Sequence, residues 1–197
     1  MVLDLKMLAD VGVIAQPNAG KSTLLTYCSE ASPRIADYPF TTVEPVLGVV
    51  RAEWKRFVMM EVPGLIAGAH SGVGLGHQFL RHAERARIYL HLIDGLSDDP
   101  IGDFRMINEE LKLFNPGLLE KPRVVAVNKI DLPEVRQGIT SLEEPLRQAI
   151  IETQPIGVAY QNTPLFFVSA ATGEGVTEML AEVMSILDRL PNEEPSL

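Results

Sequence analysis

Cysteine is nearly missing from this chain: Cys28 is the only one in 197 residues. That excludes an intrachain disulfide and fits a reducing compartment, so a cytoplasmic location is expected. No apolar run reaches the 18 residues of a membrane span. Basic residues are scarce, with 17 Lys and Arg against 26 Asp and Glu, a net charge of −9 and a pI near 4.9. Such a balance argues against an electrostatic clamp on nucleic acid. Internal repeats and low-complexity linkers are also missing. Asp4 and Asp10 precede a glycine-containing loop directly, which reads against a cleavable leader. What is present is 46% hydrophobic and 22% charged. That suffices for one α/β core and is too apolar for wholesale disorder.

Short apolar runs alternate with helical patterns. Strands are predicted at 11–15, 46–50, 57–62, 88–94, 123–128 and 165–168, most of them too continuously apolar to be one-sided. Helices are predicted at 21–29, 76–87, 103–114, 141–153 and 176–190. The last keeps Val176, Met179, Leu180, Val183, Ile186, Leu187 and Leu190 on one face. In the fourth, Ser141 and Glu144 resemble a capping box, although Pro145 follows where a helix needs an N–H. A hairpin around Ala52-Glu53-Trp54-Lys55 makes one strand pair antiparallel, and the other connections suit right-handed crossovers. The expected fold is α/β, with a six-stranded, mostly parallel sheet covered by helices on both faces. One domain is expected over 1–190, with a frayed tail over 191–197.

Between the first strand and the first helix lies Gln16-Pro17-Asn18-Ala19-Gly20-Lys21-Ser22-Thr23. Strand, tight loop ending in Gly-Lys-Ser, then helix is what triphosphate binding requires. Backbone N–H groups and the positive helix end face the phosphates, Lys21 supplies a point charge, and the Ser22 hydroxyl is a hard ligand for Mg²⁺. The leading glycine of GxxxxGK[ST] is Ala15 here. If that position needs a positive φ, the alanine costs on the order of 1 kcal/mol.

Four further stretches point to guanine. Asn128-Lys129-Ile130-Asp131 closes an apolar strand. The Asp131 carboxylate can accept from guanine N1–H and N2–H, whereas adenine would set an acceptor against it. The Lys129 stem can lie along the base, and Asn128 can tie this loop to the phosphate loop. Ser169-Ala170-Ala171 ends the next strand, where small residues would let an N–H approach guanine O6. Within Asp37-Tyr38-Pro39-Phe40-Thr41-Thr42, a threonine can reach Mg²⁺ and the γ-phosphate. Glu61-Val62-Pro63-Gly64 ends the third strand, with a carboxylate for a Mg²⁺-bound water and the Gly64 N–H for the γ-phosphate. GTPases usually have Asp where Glu61 stands. Asp94, at the end of Tyr89-Leu90-His91-Leu92-Ile93-Asp94, is a competing Walker B carboxylate or else a cap on the following turn.

Taken together these residues resemble the G domain of the Obg (CgtA) GTPases, in the translation-factor class of P-loop GTPases. The resemblance runs from about Leu5 to Leu190. Its most specific pieces are Pro17-Asn18-Ala19-Gly20-Lys21-Ser22-Thr23-Leu24-Leu25, Ile35-Ala36-Asp37-Tyr38-Pro39-Phe40-Thr41-Thr42 and Gly74-Leu75-Gly76-His77-Gln78-Phe79-Leu80-Arg81-His82. It implies the P-loop NTPase fold of the Ras-like G-domain kind, with Ser22 and Thr42 as Mg²⁺ ligands. The nucleotide contacts it implies are Ala15 through Ser22 with Thr23, then Phe40, Thr41, Thr42, Val43 and Glu44, then Glu61, Val62, Pro63 and Gly64. Asn128, Lys129, Ile130 and Asp131 follow, with Ser169, Ala170 and Ala171. It further implies a GTP/GDP switch in ribosome assembly and growth or stress control. The ribosomal large-subunit precursor would be met through the full-length protein, whose glycine-rich N-terminal domain is not in this sequence. The G domain alone would be monomeric.

No catalytic residue is singled out. Leu65 occupies the position of the water-orienting glutamine of Ras-like enzymes and cannot hydrogen-bond. His70, His77 and Gln78 are either candidates after a rearrangement or solvent-facing residues. Asn18 resembles the asparagine of K⁺-activated GTPases, or simply braces its loop. A non-hydrolysing guanine-nucleotide sensor and a P-loop kinase or ATPase using Asp94 remain the alternatives.

Overall fold

A computed structural model describes residues 9–35, 45–52, 54–62, 83–155 and 162–191. The strands are β1 (Ala9–Ile14), β2 (Arg34–Ile35), β3 (Val46–Ala52), β4 (Lys55–Glu61), β5 (Ala86–Asp94), β6 (Arg123–Asn128) and β7 (Leu165–Phe167). The α-helices are α1 (Lys21–Cys28), α2 (Pro100–Phe114), α3 (Pro133–Thr153) and α4 (Val176–Arg189), with a 3-10 turn at Pro116–Glu120. They form one seven-stranded sheet in the order β2-β3-β4-β1-β5-β6-β7.

The count is seven strands rather than six because β2 pairs two residues, Arg34 with Leu47 and Ile35 with Val46, along the edge of β3. Two residues carry no periodicity, so this edge is invisible as a pattern. The expected hairpin is present, with β3 and β4 antiparallel from Val46↔Glu61 to Ala52↔Lys55. At its tip Trp54 is 75% exposed. Lys55 Nζ lies 4.7 Å from the centre of that ring and 2.6 Å from Asp188 on α4. The pairings β1–β4, β1–β5, β5–β6 and β6–β7 are all parallel.

Alternation along the central strands serves two cores. Val11, Val13, Ile88, Leu90, Leu92, Val124 and Ala126 face α1 and α4, meeting Leu24, Leu25, Met179 and Val183. On the opposite face, Tyr89 packs with Ile107 and Leu111, and Ile93, Val125 and Val127 pack with Phe104, Leu146 and Ile150. Burial on both faces is why these strands read as continuous apolar runs. Asp10 pins the centre: it accepts from Val58 N at 2.8 Å and pairs with Arg87 at 3.4 Å, joining β1 to β4 and β5.

Three helix boundaries differ from expectation. Helix α2 starts at Pro100, because Asp99 accepts from Gly102 N at 2.8 Å and Pro100 fills the first position, where its missing N–H costs nothing. Helix α3 starts at Pro133, eight residues before Ser141. The Ser141 hydroxyl donates to the Gly138 carbonyl at 2.8 Å instead of capping. The helix carries Pro145 inside it because Val135, Leu146, Ala149 and Ile150 bury one face on both sides of the break. The helix expected at 76–87 falls largely outside the described residues. Its last part is corrected, since Ala86 pairs with Ala9 and starts β5.

Candidate nucleotide site

Strands β1, β4, β5, β6 and β7 run in the same direction, so their C-terminal ends line one edge of the sheet. Open parallel sheets bind ligands at such an edge. The stretches singled out in the sequence leave from it in turn: Ala15–Gly20 after β1, Glu61 and Val62 at the end of β4, Asn128–Asp131 after β6 and Ser169–Ala171 after β7.

The phosphate loop is tight. Ala19 N donates to the Gln16 carbonyl at 3.4 Å. Asn18 sits at φ 65° and Gly20 at φ 98°. Asparagine tolerates this left-handed conformation, and glycine is needed at 20 for a second reason. A Cβ there would run into the Asn128 side-chain amide. Ala15 is buried and is not among the positive-φ residues, so the cost expected of the missing leading glycine is not incurred. Helix α1 begins at Lys21, whose ammonium donates to the Gln16 carbonyl at 3.2 Å. Burial pushes the pKa of Lys21 down, and the Glu61 carboxylate pulls it back up. The Ser22 hydroxyl donates to Glu61 Oε1 at 2.8 Å. Thr23 is exposed one residue further on, and Pro17 is exposed at the loop's outer edge.

Glu61 is therefore the carboxylate beside the Gly-Lys-Ser segment. Asp94 is committed elsewhere. One oxygen accepts from Leu96 N at 2.9 Å, the expected cap on the turn, and the other pairs with Lys129 Nζ at 2.7 Å. A Walker B role for Asp94 finds no support in this geometry.

Asn128 holds the three loops together. Its amide nitrogen donates to the Ala19 carbonyl at 2.8 Å, and its amide oxygen accepts from Ala170 N at 2.8 Å. It is 2% exposed, so both bonds form away from water. Lys129 takes φ 72°, and Ile130 N reaches back to the Val168 carbonyl at 3.2 Å. Asp131 receives the Ser169 hydroxyl at 2.6 Å, and the same Ser169 oxygen accepts from Thr172 N at 3.1 Å. Ser169 is fully buried, whereas Ala171 is exposed. The sequence reading gave Ser169 only its backbone. A serine opening a turn signals the bond its hydroxyl accepts from a backbone N–H further along, here Thr172 N; nothing in the spacing signals the bond to Asp131. Further along this loop Gly173 takes φ 86°, and a Cβ there would collide with the Tyr27 hydroxyl of α1. Arg136 of α3 pairs with both oxygens of Glu174 at 3.0 and 2.6 Å.

Phe40, Thr41, Thr42, Val43, Glu44, Pro63 and Gly64 lie outside the described residues, as do Leu65, His70, His77 and Gln78. Among the described residues no cluster of three or more His, Cys, Asp or Glu could hold a metal by itself. The hydroxyl–carboxylate pair Ser22–Glu61 beside a buried lysine is a hard-oxygen set that fits Mg²⁺ completed by phosphate oxygens and water. No helix among the described residues is long and apolar enough to cross a membrane.

Residues 10–129 match the family model of the 50S ribosome-binding GTPases. The GTPase Obg of Anaeromyxobacter sp. (strain Fw109-5) is 50% identical over 188 residues, covering 93% of this chain and 50% of that protein. The GTPase Obg of Caldanaerobacter subterraneus subsp. tengcongensis is 47% identical over 194 residues, covering 97% of this chain and 43% of that protein. The chain thus spans about half the length of the curated relatives it matches. A solved structure of Era in complex with MgGDPNP and nucleotides of 16S ribosomal RNA is similar at TM-score 0.60 and 26% identity. It covers 95% of this chain and 58% of that one.

Proposed function

Because this chain belongs to the 50S ribosome-binding GTPase family, as an Obg-type G domain, we propose that it is a Mg²⁺-dependent GTP-binding switch. It hydrolyses GTP slowly to GDP and phosphate. The observation that carries this reading is the pair of hydrogen bonds made by the Asn128 side chain, one donated to Ala19 and one accepted from Ala170, which ties the phosphate loop to both base-facing loops. A ligand that fills both ends needs a phosphate chain and a purine in one molecule.

At the phosphate end, the amides of 16–21 and the start of α1 receive the phosphates, and Lys21 places its charge on their outer oxygens. Ser22 with Thr42 would hold Mg²⁺, with Glu61 holding one of its waters; the ion would neutralise charge on the transferring phosphoryl group. At the base end, Asp131, held by Ser169, accepts from guanine N1–H and N2–H, and the Ala170–Ala171 backbone faces O6. Phe40 to Glu44 and Glu61 to Gly64 complete the γ-phosphate side. Their contacts differ between triphosphate and diphosphate, and that difference is what makes a switch.

Leu65 can neither donate nor accept a hydrogen bond, so turnover on the order of 10⁻⁴ to 10⁻² per second is expected, the range without an external arginine finger. K⁺ held near Asn18 would supply the missing positive charge. Era, solved with ribosomal RNA, and the family's 50S description support a part in ribosome assembly, in the cytoplasm, with the precursor contacted through the longer protein. The charge of −9 supports placing most RNA contact outside this domain.

Turnover measured with GTP and with ATP, in K⁺ and in Na⁺, tests this reading. Slow GTP turnover, faster in K⁺ and lacking with ATP, is expected. Equal affinity for GTP and ATP overturns it. GTP binding without any single-turnover cleavage would leave a sensor in place of an enzyme, since Leu65 cannot position the attacking water.

A further inference from the structure

We infer that Asp94 is a positioning residue for the nucleotide base, acting through Lys129; the inference rests on the guanine-nucleotide reading above. The sequence offers Asp94 as a rival metal carboxylate or a turn cap, and the functional reading gives it no part in binding. Its surroundings give it one.

Asp94 and Asn128 are the last pair in the β5–β6 register, so the sheet itself sets Asp94 beside the base-facing loop. The turn that follows is fastened to the same place, since Gly95 N donates to the Asn128 carbonyl at 3.1 Å. A Cβ at 95 would strike that carbonyl, which keeps the two backbones in close approach. The Asp94 carboxylate is thus aimed from both sides. Leu96 N holds one oxygen at 2.9 Å, and the other faces the Lys129 ammonium at 2.7 Å. The side chains are only 16% and 26% exposed, so the pair is shielded from solvent more than a surface bridge is.

Lysine is a poor platform when free, because its four-carbon stem explores many rotamers that binding must freeze. Here the backbone of Lys129 is set at φ 72° and its far end is clamped to Asp94, so the stem is fixed before any ligand arrives. A fixed methylene stem covers one face of a flat base as an apolar wall. Asp131 reads the base edge; Asp94 holds the wall against which the base lies.

Fluorescent mant-GDP dissociation, measured by stopped flow on the chain and on D94N, K129M and the double variant, tests this. The side-chain oxygen of the introduced amide would still accept from Leu96 N, so D94N removes the charge and keeps the turn. D94N should release mant-GDP about tenfold faster, below the ceiling of ~30-fold set by freezing one lysine side chain. The preference for guanine over adenine nucleotides should stay intact. In the K129M background D94N should change release by less than about twofold, because the pathway to the base is gone. Unchanged release in D94N overturns the proposal, as does an equal effect of D94N in both backgrounds, which would mark a merely structural cap. If D94N fails to fold, K129M alone carries the test, and wild-type release from K129M overturns it. A parent chain without guanine preference would instead sink the guanine reading itself.

Discussion

Asn128 has the most to lose from a small change. Truncation to alanine leaves the Ala19 carbonyl and the Ala170 N–H without partners in a place that water does not reach. Unpaired buried groups cost about 1–3 kcal/mol each, so Asn128→Ala should lower unfolding free energy by about 2–4 kcal/mol and weaken GDP binding as well. Urea unfolding and nucleotide titration of the same variant would show both losses, and loss of binding at unchanged stability would contradict the tie. Asp131→Asn acts differently. It puts a donor where guanine presents donors, and should abolish guanine preference at a cost of roughly 2–4 kcal/mol in competition binding against ATP. His91 stands apart from the site. It is 1% exposed and stacked on Phe104 at 4.8 Å, and among the described residues neither ring nitrogen has a hydrogen-bond partner. Burial, then the nearby Arg123 charge, pushes its pKa down to about 3. The unfolded chain protonates this ring below its ordinary value of 6.5 while the folded chain does not. Stability is therefore lost as pH falls from there towards 3. Between pH 7 and pH 5 this group alone should remove about 2 kcal/mol. The urea midpoint of His91→Leu should fall less over that interval than the parent's.

Among the elements, α3 shows where local chemistry and packing disagree. Gly138 lies within it and a Cβ there would meet nothing within 4 Å, while Pro145 leaves the Ser141 carbonyl without its helical N–H. Gly138→Ala should raise stability by about 0.5–1 kcal/mol, read as a higher thermal midpoint by circular dichroism. A lowered midpoint would mean that the neighbouring apolar crevice, lined by Pro100, Ile101 and Leu142, needs the space. The same two residues explain why only the second half of α3 was legible in the sequence. Glycine and proline read as breaks, yet Val135, Ile139, Leu142, Leu146 and Ile150 keep the spacing of one face across both. The central strands were legible because burial on both sides leaves long β-branched runs, as in 123–128. The two-residue β2 was not, since its pairing depends on β3 lying beside it. The start of α2 was legible in principle: Asp99-Pro100 is a cap followed by a first-turn proline.

Over the whole molecule, the loops around the candidate site could be named from sequence because each follows a strand end and the strands run parallel. What joins them could be foreseen only in part. The bond from Asn128 to the phosphate loop was expected, but Ser169 on Asp131, Lys129 on Asp94 and Tyr27 beneath Gly173 unite residues that no spacing relates. Net charge is a whole-molecule property with its own consequence. At −9 the domain should bind a short ribosomal RNA fragment more weakly than about 10⁻⁴ M at physiological salt, the weak limit for non-specific association. Fluorescence anisotropy with labelled RNA checks this, and submicromolar binding would place the RNA surface on this domain after all.

Trp54 is the protein's sole indole, and it sits at the tip of the β3–β4 hairpin. Glu61 lies seven residues further on, at the far end of β4, about 23 Å away at the rise of an extended strand. Excited selectively, this exposed indole should emit as a solvated tryptophan whether the chain is folded or unfolded. Its spectrum should be unmoved by Mg·GDP. Indole emission is therefore blind to unfolding and to nucleotide alike, and a label nearer the base would be needed to see the nucleotide arrive.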